Sequence, residues 1–241
     1  MKILPNIEIV DLSLYFHKTL VISDVHIGYE EALNKQGILV PRMQFEDMVK
    51  RIKNIFKELG NKKIKRIIVN GDLKHEFGTI SEQEWRNTLK FLDLLAENCK
   101  DIILIKGNHD TILGPIAKKR NIKIEEFFLT TSKKILIIHG NKIPEKISFK
   151  EISTIIIGHE HPAISLKEGP RVEQFKCFLK GKFKGKNLIV QPSFNSMIEG
   201  TDILRDEILS PLLQQNLDNF DVFIVEDKVY EFGKLKNLRK R

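Results

Sequence analysis

The sequence has few cysteines and no long apolar segment. Its 241 residues include 2 cysteines, Cys99 and Cys177, which cannot form a disulfide framework and lack the paired spacing of a zinc ribbon. A helix that spans a bilayer needs about 20 consecutive apolar residues, and none of the apolar runs approaches that length. Pro5, Glu8 and Asp11 interrupt the N-terminal apolar stretch, which argues against a cleavable secretory signal. These absences predict a cytoplasmic protein without a membrane partner.

Basic residues exceed acidic ones. Lys and Arg number 40 against 32 Asp and Glu, which gives a formal net charge of +8. A positive field raises the local concentration of phosphates, so the charge favours a polyanionic partner. Much of the excess lies in stretches such as residues 62–66 and 234–241, and such runs are more often solvated surface than binding sites. The charge therefore indicates a class of partner but no site.

Five short apolar runs end in polar residues. Each run consists largely of aliphatic and β-branched residues, which predicts a strand buried on both faces. The runs are residues 19–23, 66–70, 102–106, 135–139 and 154–158. Ligands gather at the carboxyl ends of strands in open α/β sheets, so we expect the polar residues that end and follow these runs to meet.

The segments between the first three runs have helical periodicity. Apolar residues recur on one face from Pro41 to Leu59 and from Ser81 to Ala96, and Ser81 with Glu84 has the capping-box pattern. This β-α-β-α-β order implies parallel strands with right-handed crossovers. Further strands are predicted at residues 175–179, 188–191, 222–225 and 229–232. With no repeat or linker visible, we expect an α/β fold of two packed sheets with helices outside, in a single domain over residues 1–241.

Histidine is concentrated after the predicted strands. Five of the 7 histidines lie there, each close to Asp, Asn or Gly: His26, His109, His139, His159 and His161. A single one would be better explained as a structural histidine, but five in one predicted region indicate a metal site. Imidazole and carboxylate ligands without thiolate suit Mn, Fe or Zn better than Ca, and neighbouring glycines let backbone and metal approach closely.

Five ordered blocks resemble the signature of the calcineurin-like metallophosphoesterase family. They are Asp24-x-His26, Gly71-Asp72, Gly107-Asn108-His109-Asp110, His139-Gly140 and Gly158-His159-x-His161. The resemblance implies a four-layer αββα fold and two divalent metal ions, with Mn²⁺ expected and Fe, Zn, Ni or Mg as alternatives. It also implies the ligands: Asp24, His26 and His161 for one ion, Asn108, His139 and His159 for the other, and Asp72 as the bridge. Two ions about 3.5 to 4 Å apart can share one such carboxylate.

The same resemblance implies a substrate-facing role for His109. This residue would donate a hydrogen bond or a proton to the phosphoryl oxygen or the leaving group, while Asp110 orients its ring. Two alternatives stay open. His109 would otherwise be a further ligand or a structural histidine, and Asp110 would otherwise cap a helix at residues 111–118.

Three further stretches indicate a branch of the family. Residues 71–75, Gly-Asp-Leu-Lys-His, resemble a block of the double-strand-break repair nucleases, which implies that His75 lies near the scissile phosphate. A surface or helix-capping His75 is the alternative. Residues 37–42 and 192–195 resemble blocks of small archaeal and DNA ligase-associated phosphoesterases. The repair nucleases carry a separate DNA-capping domain, and the residues after His161 are needed for the second sheet, so we expect no such cap.

The resemblance therefore implies hydrolysis of phosphodiesters in nucleic acid, with single-stranded or short DNA preferred to long duplex. One alternative is a phosphatase or diesterase for nucleotides or other small phosphates, which a cramped pocket would favour over an open basic groove. Another is an inactive metal-binding partner in a DNA repair complex. A homodimer and a repair-protein partner are both compatible with the sequence.

Overall fold

A computed structural model describes residues 1–78, 80–132, 134–145 and 147–239. The spatial order of the strands in its first sheet follows their order in the chain. These strands are β1 (Lys2–Leu4), β2 (Ile7–Val10), β3 (Ser13–Phe16), β4 (Thr19–Ile22), β5 (Arg66–Asn70), β6 (Ile102–Ile105) and β7 (Lys123–Glu125). β1 to β4 form an antiparallel meander, whereas β4 to β7 are parallel. The helices that link the parallel strands are α1 (Tyr29–Lys35), α2 (Gln44–Leu59), α3 (Glu82–Asn98) and α4 (Gly114–Arg120).

The second sheet contains the strands that follow β7. They are β8 (Phe128–Leu129), β9 (Ile135–Ile137), β10 (Thr154–Ile157), β11 (Pro162–Glu168), β12 (Arg171–Phe183), β13 (Lys186–Val190), β14 (Thr201–Asp202), β15 (Asp221–Val225) and β16 (Val229–Lys234). The spatial order is β14-β11-β12-β13-β10-β9-β8, and β15 and β16 extend from β12. β9, β10 and β13 are parallel neighbours. The described residues after His161 therefore build this sheet and its cover, which ends with α5 (Leu235–Leu238).

Burial on both faces explains the continuous apolar runs. Alternate side chains of the second sheet enter different clusters: Ile137 and Ile156 pack with the first sheet, whereas Leu136 and Ile155 belong to a second cluster. Apolar residues of α2 and α3 join the first cluster. The second cluster is completed by α5 and by apolar residues of the irregular segment 203–220. The predicted two-sheet sandwich is confirmed, with turns forming much of the outer layer on the second sheet.

The two long helices form where the periodicity predicts them. α3 begins after Ser81, whose side chain accepts a hydrogen bond from the backbone N–H of Glu84 at 3.1 Å. The carboxylate of Glu84 does not complete the predicted capping box, because it binds the backbone of residues 75 and 76 instead. α2 begins at Gln44, in the turn after Pro41. The helix predicted from residue 111 also begins later, as α4.

Strands β1 to β3 and helix α1 have no counterpart among the predicted elements. The strands β1 to β3 are 3 or 4 residues long and α1 is 7 residues long. A periodic pattern needs a longer window to be recognised, so these elements carry little sequence signal. Among the described helices, none is long and apolar enough to cross a membrane.

Candidate metal centre

Five loops meet at one edge of the sandwich. Three follow β4, β5 and β6 of the first sheet, and two follow β9 and β10 of the second. They bring six predicted ligands into two groups whose ligand atoms lie within 4.8 Å of one another: Asp24, His26 and His161, and Asp72, His139 and His159. The seventh, Asn108, has its Oδ1 2.9 Å from His139 Nε2. The predicted ligands therefore converge from both sheets.

The two carboxylates lie between imidazoles. Asp72 Oδ2 is 3.3 Å from His139 Nε2 and 3.7 Å from His26 Nε2, so it faces both groups. Asp24 Oδ1 is 3.1 Å from His161 Nε2. The Nε2 atoms of His26 and His161 face each other at 3.4 Å. Nitrogen and oxygen donors thus share the same small spaces, which is an arrangement suited to divalent cations.

Burial and mutual charge set the protonation of these donors. Burial raises the pKa of the Asp72 carboxyl, but the hydrogen bond and charge of His139 outweigh it and hold the pKa below its ordinary value. Burial lowers the pKa of His139, yet the bond to Asp72 and the charges of Asp24 and Asp72 raise it to about 9. Burial and then the charge of His139 lower the pKa of His159 to about 4. Without a bound cation, a proton on His139 therefore balances the charge of the two carboxylates. Metal binding would displace this proton.

Five of the seven predicted ligands have a left-handed backbone. The angle φ is 55° at Asp24, 47° at His26, 48° at Asp72, 63° at His159 and 50° at His161. Sparsely populated conformations cost of order 1–3 kcal/mol each and persist only where the surroundings fix them. Such strain clusters at functional sites, so its concentration here supports a functional reading of the loops.

Two motif glycines let the loops close. A Cβ on Gly107 would lie 2.0 Å from Asp72 Oδ1, and a Cβ on Gly71 would lie 2.0 Å from His139 Nδ1. Non-bonded heavy atoms pack best at about 3.5–4.0 Å, so any larger residue would displace a predicted ligand. Close approach requires glycine at both positions, and at Gly71 the backbone does so too, with φ 83°.

Comparison with known proteins identifies the family. A family model of calcineurin-like phosphoesterases matches residues 17–215, which is most of the chain. The chain belongs to the calcineurin-like phosphoesterase family. Membership indicates a metal-dependent hydrolase, and the two groups of His and Asp side chains agree with the dinuclear metal centre typical of the family.

Two solved structures illustrate what this chain is similar to. The nuclease MPE of Pseudomonas putida is 19% identical, with 93% of each chain covered and a TM-score of 0.61. The phosphoesterase Yfce from E. coli is 12% identical over 90% of this chain and 97% of its own, with a TM-score of 0.42. At 19% identity the likeness to the nuclease shows the fold alone. Among curated protein sequences, none matches this chain.

Side chains outside the five blocks hold Asp24 and His26 of the phosphoesterase in place. Ser23 donates a hydrogen bond to Asp24 Oδ2 at 2.6 Å, and Ser193 donates to the backbone carbonyl of Asp24 at 2.7 Å. Gln44 donates from Nε2 to the backbone carbonyl of His26 at 2.8 Å. Ser193 lies in a stretch that resembles related phosphoesterases, so the sequence carried a signal for it. Ser23 and Gln44 carried none.

His75 and His109 lie beside the first ligand group. His75 Nδ1 is 3.3 Å from His26 Nδ1, and the ring nitrogens of His26, His75 and His109 form a third group within 4.8 Å. The backbone N–H of His109 donates to Asp72 Oδ1 at 2.9 Å, and its ring Nδ1 contacts the carbonyl oxygen of His75. Burial and then the charge of His109 lower the pKa of His75 to about 4, so His75 is neutral. Both histidines therefore lie next to predicted metal ligands, His75 beside His26 and His109 beside Asp72.

Asp110 makes different contacts from those predicted. Its buried carboxylate accepts hydrogen bonds from the backbone N–H groups of Leu73 at 3.1 Å and Gly107 at 3.0 Å. The ring of His109 contacts the carbonyl oxygen of His75. The hydrogen bonds of Asp110 therefore do not orient that ring in the way that the sequence predicted. Nor does Asp110 cap α4, which has no side-chain cap bond. Asp110 instead joins the loop after β5 to the loop after β6.

A groove of about 670 Å³ lies beside Asn108 and His139. Its charged lining residues are Lys106, Lys142, Glu126 and Glu145. The lysines and glutamates that line the groove therefore balance each other in charge. A larger cavity of about 780 Å³, next to Asp11 and Arg51, contains none of the predicted site residues. We assign the site to the smaller groove because two predicted ligands, Asn108 and His139, line it.

Proposed function

We propose that this protein hydrolyses phosphodiesters, with nucleic acid as its substrate class. The groove carries the proposal, because it adjoins two predicted metal ligands, Asn108 and His139, and offers space for a second group on the phosphate. A phosphate monoester has an organic group on only one side of the phosphorus, so it needs no space on the other side. A diester has an organic group on each side and needs both spaces. The nuclease MPE of Pseudomonas putida, which has the same fold, supports nucleic acid as the class to test first.

The donor set fits two divalent metal ions. The proposed ligands are Asp24, His26 and His161 for one ion, Asn108, His139 and His159 for the other, and Asp72 between them. Mn²⁺ is proposed because the donors are nitrogen and oxygen atoms without thiolate, and Fe, Zn, Ni and Mg are the alternatives. When bound, the ions polarise phosphoryl oxygens and lower the pKa of the attacking water.

The hydrogen bond between His26 and His75 determines which ring nitrogen of His75 can donate to the substrate. The Nε2 of His26 lies in its ligand group, facing His161, so the hydrogen of a ligating His26 is on Nδ1. That Nδ1–H donates to Nδ1 of His75 at 3.3 Å, which leaves the hydrogen of His75 on Nε2. A neutral His75 thus supplies one N–H donor for a phosphoryl oxygen.

His109 is proposed as the proton donor. Its Nδ1–H donates to the carbonyl oxygen of His75, which orients the ring and leaves Nε2 available. A protonated His109 then transfers the Nε2 proton to the leaving-group oxygen as the ester bond breaks. The backbone bond to Asp72 at 2.9 Å keeps this ring next to the metal ligands.

A substrate panel tests the proposed function. With Mn²⁺, the protein should hydrolyse a bis-aryl phosphate diester and a single-stranded oligonucleotide faster than an aryl phosphate monoester at matched concentration. Duplex DNA should be cleaved more slowly than the single strand. Asp72→Ala should lose activity on all four. A monoester preferred by an order of magnitude, with DNA untouched, would overturn the nuclease assignment.

The balanced charge of the groove favours a second candidate, a diesterase or phosphatase acting on nucleotides or other small phosphates. Two lysines are matched by two glutamates there, so a long polyanion gains little from the local field. Equal kcat/KM for a dinucleotide and a longer oligonucleotide would favour this candidate. An inactive partner protein would hydrolyse none of the substrates. A cytoplasmic location and a homodimer or repair-protein partner stay predictions from the sequence.

A further inference from the structure

An exposed aromatic ring borders the metal centre. Phe77 follows His75 by two residues, and 55% of it is exposed. Its ring lies against that of His109, with centroids 3.7 Å apart and planes 32° from parallel. The ring of His109 in turn stacks on that of His75 at 5.2 Å. Phe77 is therefore the outermost of three stacked rings that begin next to the predicted metal ligands.

Three side chains fix the backbone that carries this ring. Buried Glu84 accepts hydrogen bonds from the backbone N–H groups of residues 75 and 76 at 2.8 and 3.0 Å. Lys74 donates to the carbonyl oxygen of residue 76, and Thr111 donates to the carbonyl oxygen of Phe77. Because the backbone is already ordered, a ligand that packs on the ring has less conformational entropy to remove.

Further exposed apolar side chains belong to segments that are linked to the turn of Phe77. Of the nine large apolar side chains that are exposed in the described residues, five are Ile38, Leu39, Met43, Phe77 and Ile112. Ile112 follows Thr111, which bonds to Phe77. The turn with the other three follows α1, whose Lys35 pairs with Glu76 at 3.4 Å. An apolar rim beside a polar centre is typical of a ligand site.

We propose that Phe77 is the stacking platform for the nucleobase next to the scissile phosphate. This inference rests on the proposed function and names the substrate group that the site recognises. A base extends the stack of Phe77, His109 and His75 while its phosphate reaches the metal centre, and every base has a face that can stack. A lipid acyl chain would instead need an enclosed apolar channel, whereas Leu39 on this rim is 89% exposed.

Two esters with the same leaving group test the platform. Thymidine 5′-(para-nitrophenyl phosphate) carries a base, and methyl para-nitrophenyl phosphate does not. Stacking on an aromatic side chain contributes roughly a tenfold effect, so Phe77→Ala should lower kcat/KM for the thymidine ester about tenfold more than for the methyl ester. Phe77→Trp should keep the preference for the thymidine ester. Phe77→Leu, which retains an apolar side chain against His109, should lose it.

Val172→Ala is the matched control, because Val172 is an apolar side chain of β12 that is 48% exposed. It should leave both esters unaffected. Equal losses on the two esters in Phe77→Ala, or a wild-type preference in Phe77→Leu, would refute the platform while the proposed function stands. Absence of wild-type hydrolysis of both esters would refute the proposed function and the platform with it.

Lipid vesicles test the alternative that the apolar rim binds acyl chains and not a nucleobase. If Phe77→Ala abolished binding to phosphatidylglycerol vesicles and left the ester preference unchanged, the apolar rim would serve acyl chains and the nucleobase assignment would be wrong. Under our proposal the wild type and the variant bind such vesicles equally. The Mn²⁺ content and Tm of each variant, compared with the wild type, show whether a changed preference comes from an intact metal centre.

Discussion

Replacing Glu84 by alanine should loosen the turn that carries His75 and Phe77. Glu84 is fully buried, and its Oε1 accepts hydrogen bonds from the backbone N–H groups of residues 75 and 76 at 2.8 and 3.0 Å. Bonds to a charged acceptor contribute about 1.5–3 kcal/mol each, so the pair contributes about 3–6 kcal/mol. Burial raises the pKa of this carboxyl, and Oε2 has no partner among the described residues, which offsets about 1–3 kcal/mol. The free energy of unfolding should therefore fall by about 2–3 kcal/mol.

Urea unfolding measures this loss, and Glu84→Gln separates charge from shape. Glutamine keeps one acceptor oxygen without the charge, so it should lose about half as much. The control is Glu82→Ala, an exposed glutamate in the same helical turn, which should change the free energy by less than about 0.5 kcal/mol. Diester hydrolysis should fall in Glu84→Ala while metal content stays. A loss below about 0.5 kcal/mol with unchanged kcat/KM would refute the role assigned to Glu84.

Three further substitutions test the centre and its support. Gly107→Ala places a Cβ 2.0 Å from Asp72 Oδ1, so elemental analysis should find less bound metal; full metal content would show that the loop relaxes instead. His109→Ala should keep its metal but lose about 100-fold or more in turnover, whereas a parallel loss of metal would make His109 a ligand. Burial and then the charge of Arg51 lower the pKa of Lys176 to about 7. Between about pH 7 and 10 the unfolded state then binds the extra proton, so stability should rise with pH in the wild type but not in Lys176→Met; equal slopes would contradict this.

The meeting of the ligands could be predicted because it depends on two strong regularities. The five strands before the site are aliphatic except at their ends, so each is recognisable from its own residues. Parallel neighbours end at the same edge of a sheet. A residue one or two positions beyond such a strand, such as Asp24, Asp72 or His139, has little freedom to lie elsewhere.

The partners of the buried carboxylates could not be predicted, because they belong to other loops. The neighbouring sequence suggests a role for each: Asp110 would orient the ring of the adjacent His109, and Glu84 would form a capping box with Ser81. Both instead bind backbone N–H groups of the loop after β5, and the bond from Leu73 to Asp110 joins residues 37 positions apart. A buried carboxylate takes the donors that secondary structure leaves unpaired, and only the folded loops decide which these are.

A left-handed backbone at a histidine is not by itself evidence of a metal ligand. His17, in the turn between β3 and β4, has φ 45°, and His26 has φ 47°. The imidazole of His17 is exposed and can bind water, whereas His26 is buried with its Nε2 3.4 Å from His161 Nε2. Two ring nitrogens that face each other, here with the one of His26 buried, need a proton or a cation between them. Burial and the charge of His161 hold the pKa of His26 well below its ordinary value, which disfavours an imidazolium and leaves a shared proton or a metal ion to fill that place.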